Sequence, residues 1–82
     1  MNFQQLEYIV AVDTYRRFTT ASEKCFVTQA TLSMMIKKLE EELEVIIFDR
    51  SKQPVVPTEA GKEVIAQAKI VLKEAKRIKD VV

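Results

Sequence analysis

The stretch TQATLSMMIKKLEEEL, Thr28 to Leu43, has two faces of different character. Leu32, Ile36, Leu39 and Leu43 recur at helical spacing and form one apolar stripe. Off that stripe lie Gln29, Thr31, Ser33, Met34, Lys37 and Lys38, followed by the anions Glu40, Glu41 and Glu42. The stripe predicts an amphipathic helix whose apolar side is core. Thr28 is its expected N-cap, since a threonine hydroxyl can accept from the orphan backbone N–H groups of a first turn. The polar half, with short hydrogen-bonding groups first, cations next and anions last, fits either a solvated face or a surface that reads a polar partner.

Upstream, Asn2 followed by Gln5 resembles a capping box, and Phe3, Leu6, Ile9 and Val10 follow at helical spacing. They predict a first helix from about Phe3 to Asp13. DTYRRF then reads as a connector. TASE, Thr20 to Glu23, fits a second capping box and predicts a short second helix ending at Cys25 or Phe26. Ala21 and Cys25 would face the core. Downstream the period changes. VIIFDR and PVVP read as two short extended runs with SKQ as the turn, and Pro54 and Pro57 confine them to an edge hairpin. Thr58 caps a last helix, with Glu59 in the first turn where the helix dipole favours an anion.

That last helix carries an apolar heptad. Val64, Ala68, Val71, Ala75, Ile78 and Val82 alternate spacings of four and three, with Ile65 and Leu72 widening the stripe. The stripe can pack on its own domain, or its far half can pair with a second copy. The length of the helix relative to so small a body favours the second copy.

Composition narrows the function classes. Eighty-two residues with 48% apolar content make one small folded domain. With no His and one Cys there is neither a zinc-finger spacing nor a disulfide framework. The usual general base near neutral pH is missing, so no catalytic residue, metal or cofactor is expected. Cys25 has no imidazole partner and reads as a packed thiol. EELE points its carboxylates in different directions on a helix and reads as a solvated face, and the lone Gly61 cannot make a phosphate loop. MNFQQLEYIV has no basic segment before an apolar run, and VIIF is too short to span a bilayer, so the expected location is the cytoplasm, away from membranes. The net charge of +1 hides a pattern: residues 1–38 carry +2, residues 39–49 carry −5 and residues 50–82 carry +4. Such a chain can touch DNA with one face.

Second helix, tight turn, third helix and hairpin together match a winged helix-turn-helix. In that arrangement the start of the third helix enters a major groove. Gln29 can bond an adenine edge, Thr28, Thr31 and Ser33 can serve several bases, and Ala30 and Met34 can touch a thymine methyl. Lys37 and Lys38 are placed for phosphates or base edges, and Arg50 on the hairpin for a flanking phosphate or groove. A helical protein-interaction module working through the heptad helix is the rival from another class.

These residues also resemble a family. LEYIVAV, FTTASEKCFVTQATLSMMIKKLEEELEVIIFDR and VVPTEAGKEVIAQAK, in that order, are similar to the N-terminal DNA-binding domain of LysR-type transcriptional regulators. The resemblance spans essentially the whole chain. It implies a mainly helical winged helix-turn-helix domain over residues 1–58 and a linker helix over 59–82. That helix would pair two subunits through Val64, Ala68, Val71, Ala75, Ile78 and Val82, giving a homodimer on an imperfect inverted repeat of double-stranded DNA. It also implies a C-terminal effector-binding domain absent from these residues, and a small-molecule or redox signal acting there. The DNA-contacting positions fall on Gln29, Ala30, Thr31, Ser33 and Met34, then Lys37 and Lys38, with Arg50 starting the wing and Thr58 capping the linker helix. Three residues depart from the common pattern. Ala30 stands where many members have Pro, Met34 where many have Arg, and Glu44 where many have Gly. Glu44 predicts a strained or altered end to the third helix. TQATLSMMIKKLE looks most like the peroxide-responsive activators, whose sensing cysteines lie in the effector domain, so Cys25 is not assigned that role.

Overall fold

The computed structural model describes residues 1–82. In chain order they form α1 (Phe3–Tyr15), α2 (Phe18–Lys24), α3 (Gln29–Leu43), β1 (Phe48–Asp49), β2 (Val56–Pro57), α4 (Glu59–Lys76) and α5 (Ile78–Val81). The capping box at Asn2 forms with both bonds at 2.9 Å. α1 runs two residues beyond the expected end, to Tyr15, and stops at Arg16 in a left-handed conformation. α2 begins earlier than the TASE motif suggests. Its N-cap is Arg17, without a side-chain cap bond, and Thr20 lies inside the first turn. The early start brings Phe18 edge-on to Phe48, with ring centroids 6.3 Å apart at 80°. That aromatic contact outweighs a local hydroxyl cap of about 1 kcal/mol.

α3 starts as read, with the Thr31 N–H donating to the Thr28 hydroxyl at 3.1 Å. Its apolar stripe is closed: Leu32, Ile36 and Leu39 have no exposed surface. They pack with Ile9, Val12, Ala21, Ile47, Phe48 and Val55 into one core. Gln5, buried on α1, donates its side-chain amide to the Met35 carbonyl at 3.1 Å and fixes the crossing of α1 and α3.

Glu44 adopts the left-handed conformation, φ 56°, that glycine would take most easily. Its N–H reaches the Glu41 carbonyl at 3.3 Å and the Val45 N–H reaches Glu40 at 3.1 Å, a Schellman closure. A residue with a Cβ pays about 1 kcal/mol or more for that conformation. Glu44→Gly is therefore expected to stabilise the chain by roughly 0.5–1 kcal/mol, allowing for the extra entropy of glycine when unfolded. A urea-unfolding midpoint that falls on this substitution would refute the assignment of strain to the helix end.

The wing is shorter than the two apolar runs that suggested it. Only Phe48 with Pro57 and Asp49 with Val56 pair, antiparallel. The neighbouring donors are used elsewhere. The Val55 N–H goes to the Arg16 carbonyl at 2.9 Å, and the Ile47 N–H goes to the Glu40 carboxylate at 2.7 Å.

α4 lies across α1 and buries Gly61, Ile65 and Ala68. Lys69 adds an ion pair with Asp13 at 3.6 Å. The expected single helix over 59–82 is interrupted at Arg77, whose N–H is shared between the Lys73 and Glu74 carbonyls at 3.3 and 3.1 Å. No residue beyond Arg77 is buried, so only local bonds hold α5. No helix is long and apolar enough to cross a membrane.

Candidate nucleic-acid interface

The start of α3 presents an open outer face. Thr28, Gln29, Ala30, Met34, Lys37 and Lys38 are exposed there, and Thr31 and Ser33 are half-buried between them. This split follows from the period of α3. Leu32, Ile36 and Leu39 take the inner face, so the intervening polar residues have no other side to occupy. The Thr28 hydroxyl donates to the Thr31 hydroxyl at 3.0 Å, and Thr19 of α2 donates to the Gln29 side-chain oxygen at 3.1 Å. Both contacts order side chains that would otherwise rotate freely at the tip of the motif.

Arg50, at the end of β1, joins the wing to α3. It donates to the Ser33 hydroxyl at 2.8 Å and to Glu40 at 3.2 Å, and its guanidinium lies 4.8 Å from the centre of the Phe18 ring. Glu40 is only 7% exposed, and its second oxygen accepts from the backbone of Ile47 at 2.7 Å and, more weakly, of Phe48 at 3.4 Å. The run EELE, Glu41 to Glu44, is solvated as expected, but the carboxylate that precedes it is not. Glu41, Glu42 and Glu44 are exposed, but Glu40 turns inward and is fully satisfied. On the outer side of the wing, the Ser51 hydroxyl and backbone N–H both donate to the Asp49 carboxylate, which holds its pKa below the ordinary aspartate range.

A cleft of about 270 Å³ opens between α2, α3 and the wing, lined by Arg17, Thr19, Gln29, Ser33, Arg50 and Gln53 among others. Arg17, Thr19 and Gln53 were not anticipated from sequence. Arg17 and Thr19 follow a connector without periodicity, and Gln53 sits in a turn, so only folding brings them beside Gln29 and Ser33. The signal available was the run of hydroxyls and cations in RRFTT.

Thr58 is placed differently from the other expected contacts. It lines a separate depression with Lys37 and Arg50, but its hydroxyl accepts from the Gly61 N–H at 2.9 Å and donates to the Ile46 carbonyl. With its hydrogen and one of its two lone pairs committed, its side chain caps the start of α4.

The heptad residues divide between two environments. Ala68 is buried, and Val64 and Val71 edge an apolar groove of about 580 Å³ shared with Met1, Phe3, Leu6 and Leu43. Ala75 is half-buried, whereas Ile78 and Val82 are exposed beyond the body. Cys25 is half-buried against the core. Burial, and then the nearby Glu7 carboxylate, push its thiol pKa up, which lowers the thiolate fraction. No group of three or more His, Cys, Asp or Glu side chains is placed to hold a metal ion.

Comparison with known proteins agrees with this geometry. Residues 3–62 match the model of the bacterial regulatory helix-turn-helix proteins of the lysR family. A hydrogen peroxide-inducible genes activator of Haemophilus influenzae is 42% identical over 80 residues, which is 98% of this chain and 27% of that protein. Among solved structures, a full-length OxyR variant from Pseudomonas aeruginosa superposes with a TM-score of 0.93 at 44% identity, covering 99% of this chain and 28% of the other. The BenM DNA-binding domain, solved with benA site 1 DNA, superposes with a TM-score of 0.95 at 32% identity, covering 99% of this chain and 91% of that one. The chain thus spans about a quarter of the length of the full-length relatives it matches. Helix-turn-helix, short wing and long following helix are the parts that these proteins share, and the chain belongs to the lysR family of bacterial regulatory helix-turn-helix proteins.

Proposed function

We propose that this chain is the DNA-reading part of a transcriptional regulator, working as a dimer on an interrupted palindrome. Residues 1–58 hold the reading surface and residues 59–82 carry the pairing helix. The observation that carries this is the outward face of α3, with Gln29, Ser33, Met34, Lys37 and Lys38 on one side of a helix whose other side is entirely core. A helix presented this way fits the major groove, and Arg50 beside it reaches the flanking backbone or groove. The groove edged by Val64, Ala68 and Val71 suits the same stripe of a second copy, with Ala75, Ile78 and Val82 extending the contact. Similarity to a relative solved with DNA supports the DNA partner.

The polar face performs no catalysis in this reading: it holds no general base and no metal ligands, and the chain works in the cytoplasm without a cofactor. The full-length protein responds to hydrogen peroxide, as the names of its relatives suggest. The sensing chemistry lies outside these residues, because the raised pKa of Cys25 makes it a poor peroxide target.

Fluorescence anisotropy tests the reading. The chain is titrated into a labelled duplex bearing a family-type interrupted palindrome and into a scrambled duplex, at two salt concentrations. Tighter binding to the palindrome is expected, at two chains per duplex, with log K falling by about 0.9 per phosphate neutralised for each unit of log salt. Gln29→Ala should weaken the palindrome selectively, by on the order of 1–3 kcal/mol. Equal affinity of Gln29→Ala and the parent chain for both duplexes would remove α3 from the reading surface.

A further inference from the structure

Ser33 lacks the back-bond that two other helix hydroxyls make. Thr14 donates to the Val10 carbonyl one turn back at 2.8 Å, and Ser22 donates to the Thr19 carbonyl at 2.8 Å. Ser33 makes neither bond, and its single hydrogen-bond partner in the chain is Arg50. A guanidinium has donors and no acceptor. The Ser33 oxygen therefore accepts through one of its two lone pairs, and its hydrogen has no acceptor within the chain.

Three groups hold Arg50 in this contact. Glu40 holds one terminal nitrogen, the Phe18 ring lies under the guanidinium plane, and Ser33 takes the other nitrogen. Glu40 is itself anchored by the buried Ile47 N–H, and Phe18 by Phe48. The direction of the Ser33 hydroxyl thus derives from the core. Ordinarily a serine on a reading helix is ambiguous, because it can donate to or accept from a base edge.

We propose that Arg50, aimed by Glu40 and Phe18, polarises Ser33 into a hydrogen-bond donor, so that the chain selects an acceptor on the base edge that Ser33 faces. In the major groove guanine, adenine and thymine each present an acceptor, while cytosine presents only its amino donor. The rule predicted is exclusion of cytosine at one position of each half-site. Arg50 is then a specificity-determining residue acting through Ser33, and Glu40 is a positioning residue. This rests on α3 being the DNA-reading helix.

The experiment selects bound duplexes from a pool randomised across the half-site and measures Kd on the winners and their single-base variants. The parent chain should disfavour cytosine about tenfold at one position, the discrimination of one good base contact. Arg50→Met keeps an apolar stem over Phe18 but has no donor. It should bring cytosine at that position to within about twofold of the other bases, because both lone pairs of Ser33 are then free of the cation and can accept, and leave preferences elsewhere unchanged. Ser33→Ala, at a helix position where alanine is well tolerated, should lose the same discrimination, and it keeps the test alive if Arg50→Met folds poorly. Cytosine exclusion that survives Arg50→Met overturns the proposal, whether or not affinity for every duplex falls with it, since Arg50 would then be a backbone contact only. A parent chain that prefers no half-site over scrambled DNA overturns the proposal together with the assignment of α3, and so separates the two failures.

Discussion

Gly61→Ala is expected to destabilise the chain by about 3 kcal/mol, at the upper end of what overpacked sites cost. Two effects compete at this position. Gly61 lies in the first turns of α4, where alanine is favoured over glycine by about 1 kcal/mol in helix propensity. Against that, a Cβ on Gly61 would stand 2.0 Å from the Ile47 carbonyl oxygen and 2.8 Å from its carbon. Those are backbone atoms, and they cannot rotate away as a side chain could. The Ile47 carbonyl also accepts from the Thr58 N–H at 2.9 Å, so moving it breaks the junction of wing and α4. The sign of the effect therefore separates packing from propensity. Urea unfolding should show a lower midpoint with an unchanged slope. A midpoint equal to or above that of the parent would mean that α4 does not approach Ile47 as closely as described. Gly61 needs no special dihedral, since its φ is negative. It is required by proximity alone.

That distinction bears on what was legible in the sequence. Periodicity exposed the inner faces: the stripe Leu32, Ile36 and Leu39 is core, and the capping residues Asn2, Thr28 and Thr58 stand where their types suggest. Each of these features is set by residues within one or two turns of one another, so a local pattern carries it. The failures are non-local. TASE has the form of a capping box, but α2 starts at Phe18 because that ring meets Phe48, thirty positions along the chain. The wing was legible as a short edge hairpin, but not where it stops: the donors of Ile47 and Val55 are taken by Glu40 and Arg16, so pairing ends at two residues. The heptad of the last helix was visible, but not that its register is shared. Ala68 is buried within the chain, while Val64 and Val71 edge an open groove. The outer face of α3 was legible because it is the complement of a clear stripe. Thr19, Arg17 and Gln53 were not, because no spacing marks residues that meet only through the α2–α3 turn and the wing.

Glu40→Ala is the second substitution expected to have a large effect, about 2–4 kcal/mol of lost stability. Glu40 opens the run EEELE, Glu40 to Glu44, whose acidic members look interchangeable in sequence, yet it alone is buried and its exposed neighbours should tolerate alanine within about 0.5 kcal/mol. Alanine would strip the acceptor from the Ile47 N–H, and leaving a buried donor unpaired costs about 1–3 kcal/mol. It would also lose the weaker Phe48 contact and the ion pair to Arg50. The arginine is 35% exposed, so solvent screening limits that pair to roughly 1 kcal/mol or less. The backbone acceptor role should therefore dominate over the charge. Glu40→Gln separates them, since the amide oxygen can still accept from Ile47 while the charge is gone. It should cost only about 1 kcal/mol. Urea unfolding of the two variants decides between the roles: if Gln costs as much as Ala, the ion pair and not the backbone bond holds the wing. DNA binding adds an independent check. With its acceptor intact but its hold on Arg50 weakened, Glu40→Gln should keep the fold and still lose part of the base discrimination assigned to Ser33. That separation would place the two oxygens of one buried carboxylate in different roles, one maintaining the wing and the other aiming the residue through which the wing acts on α3.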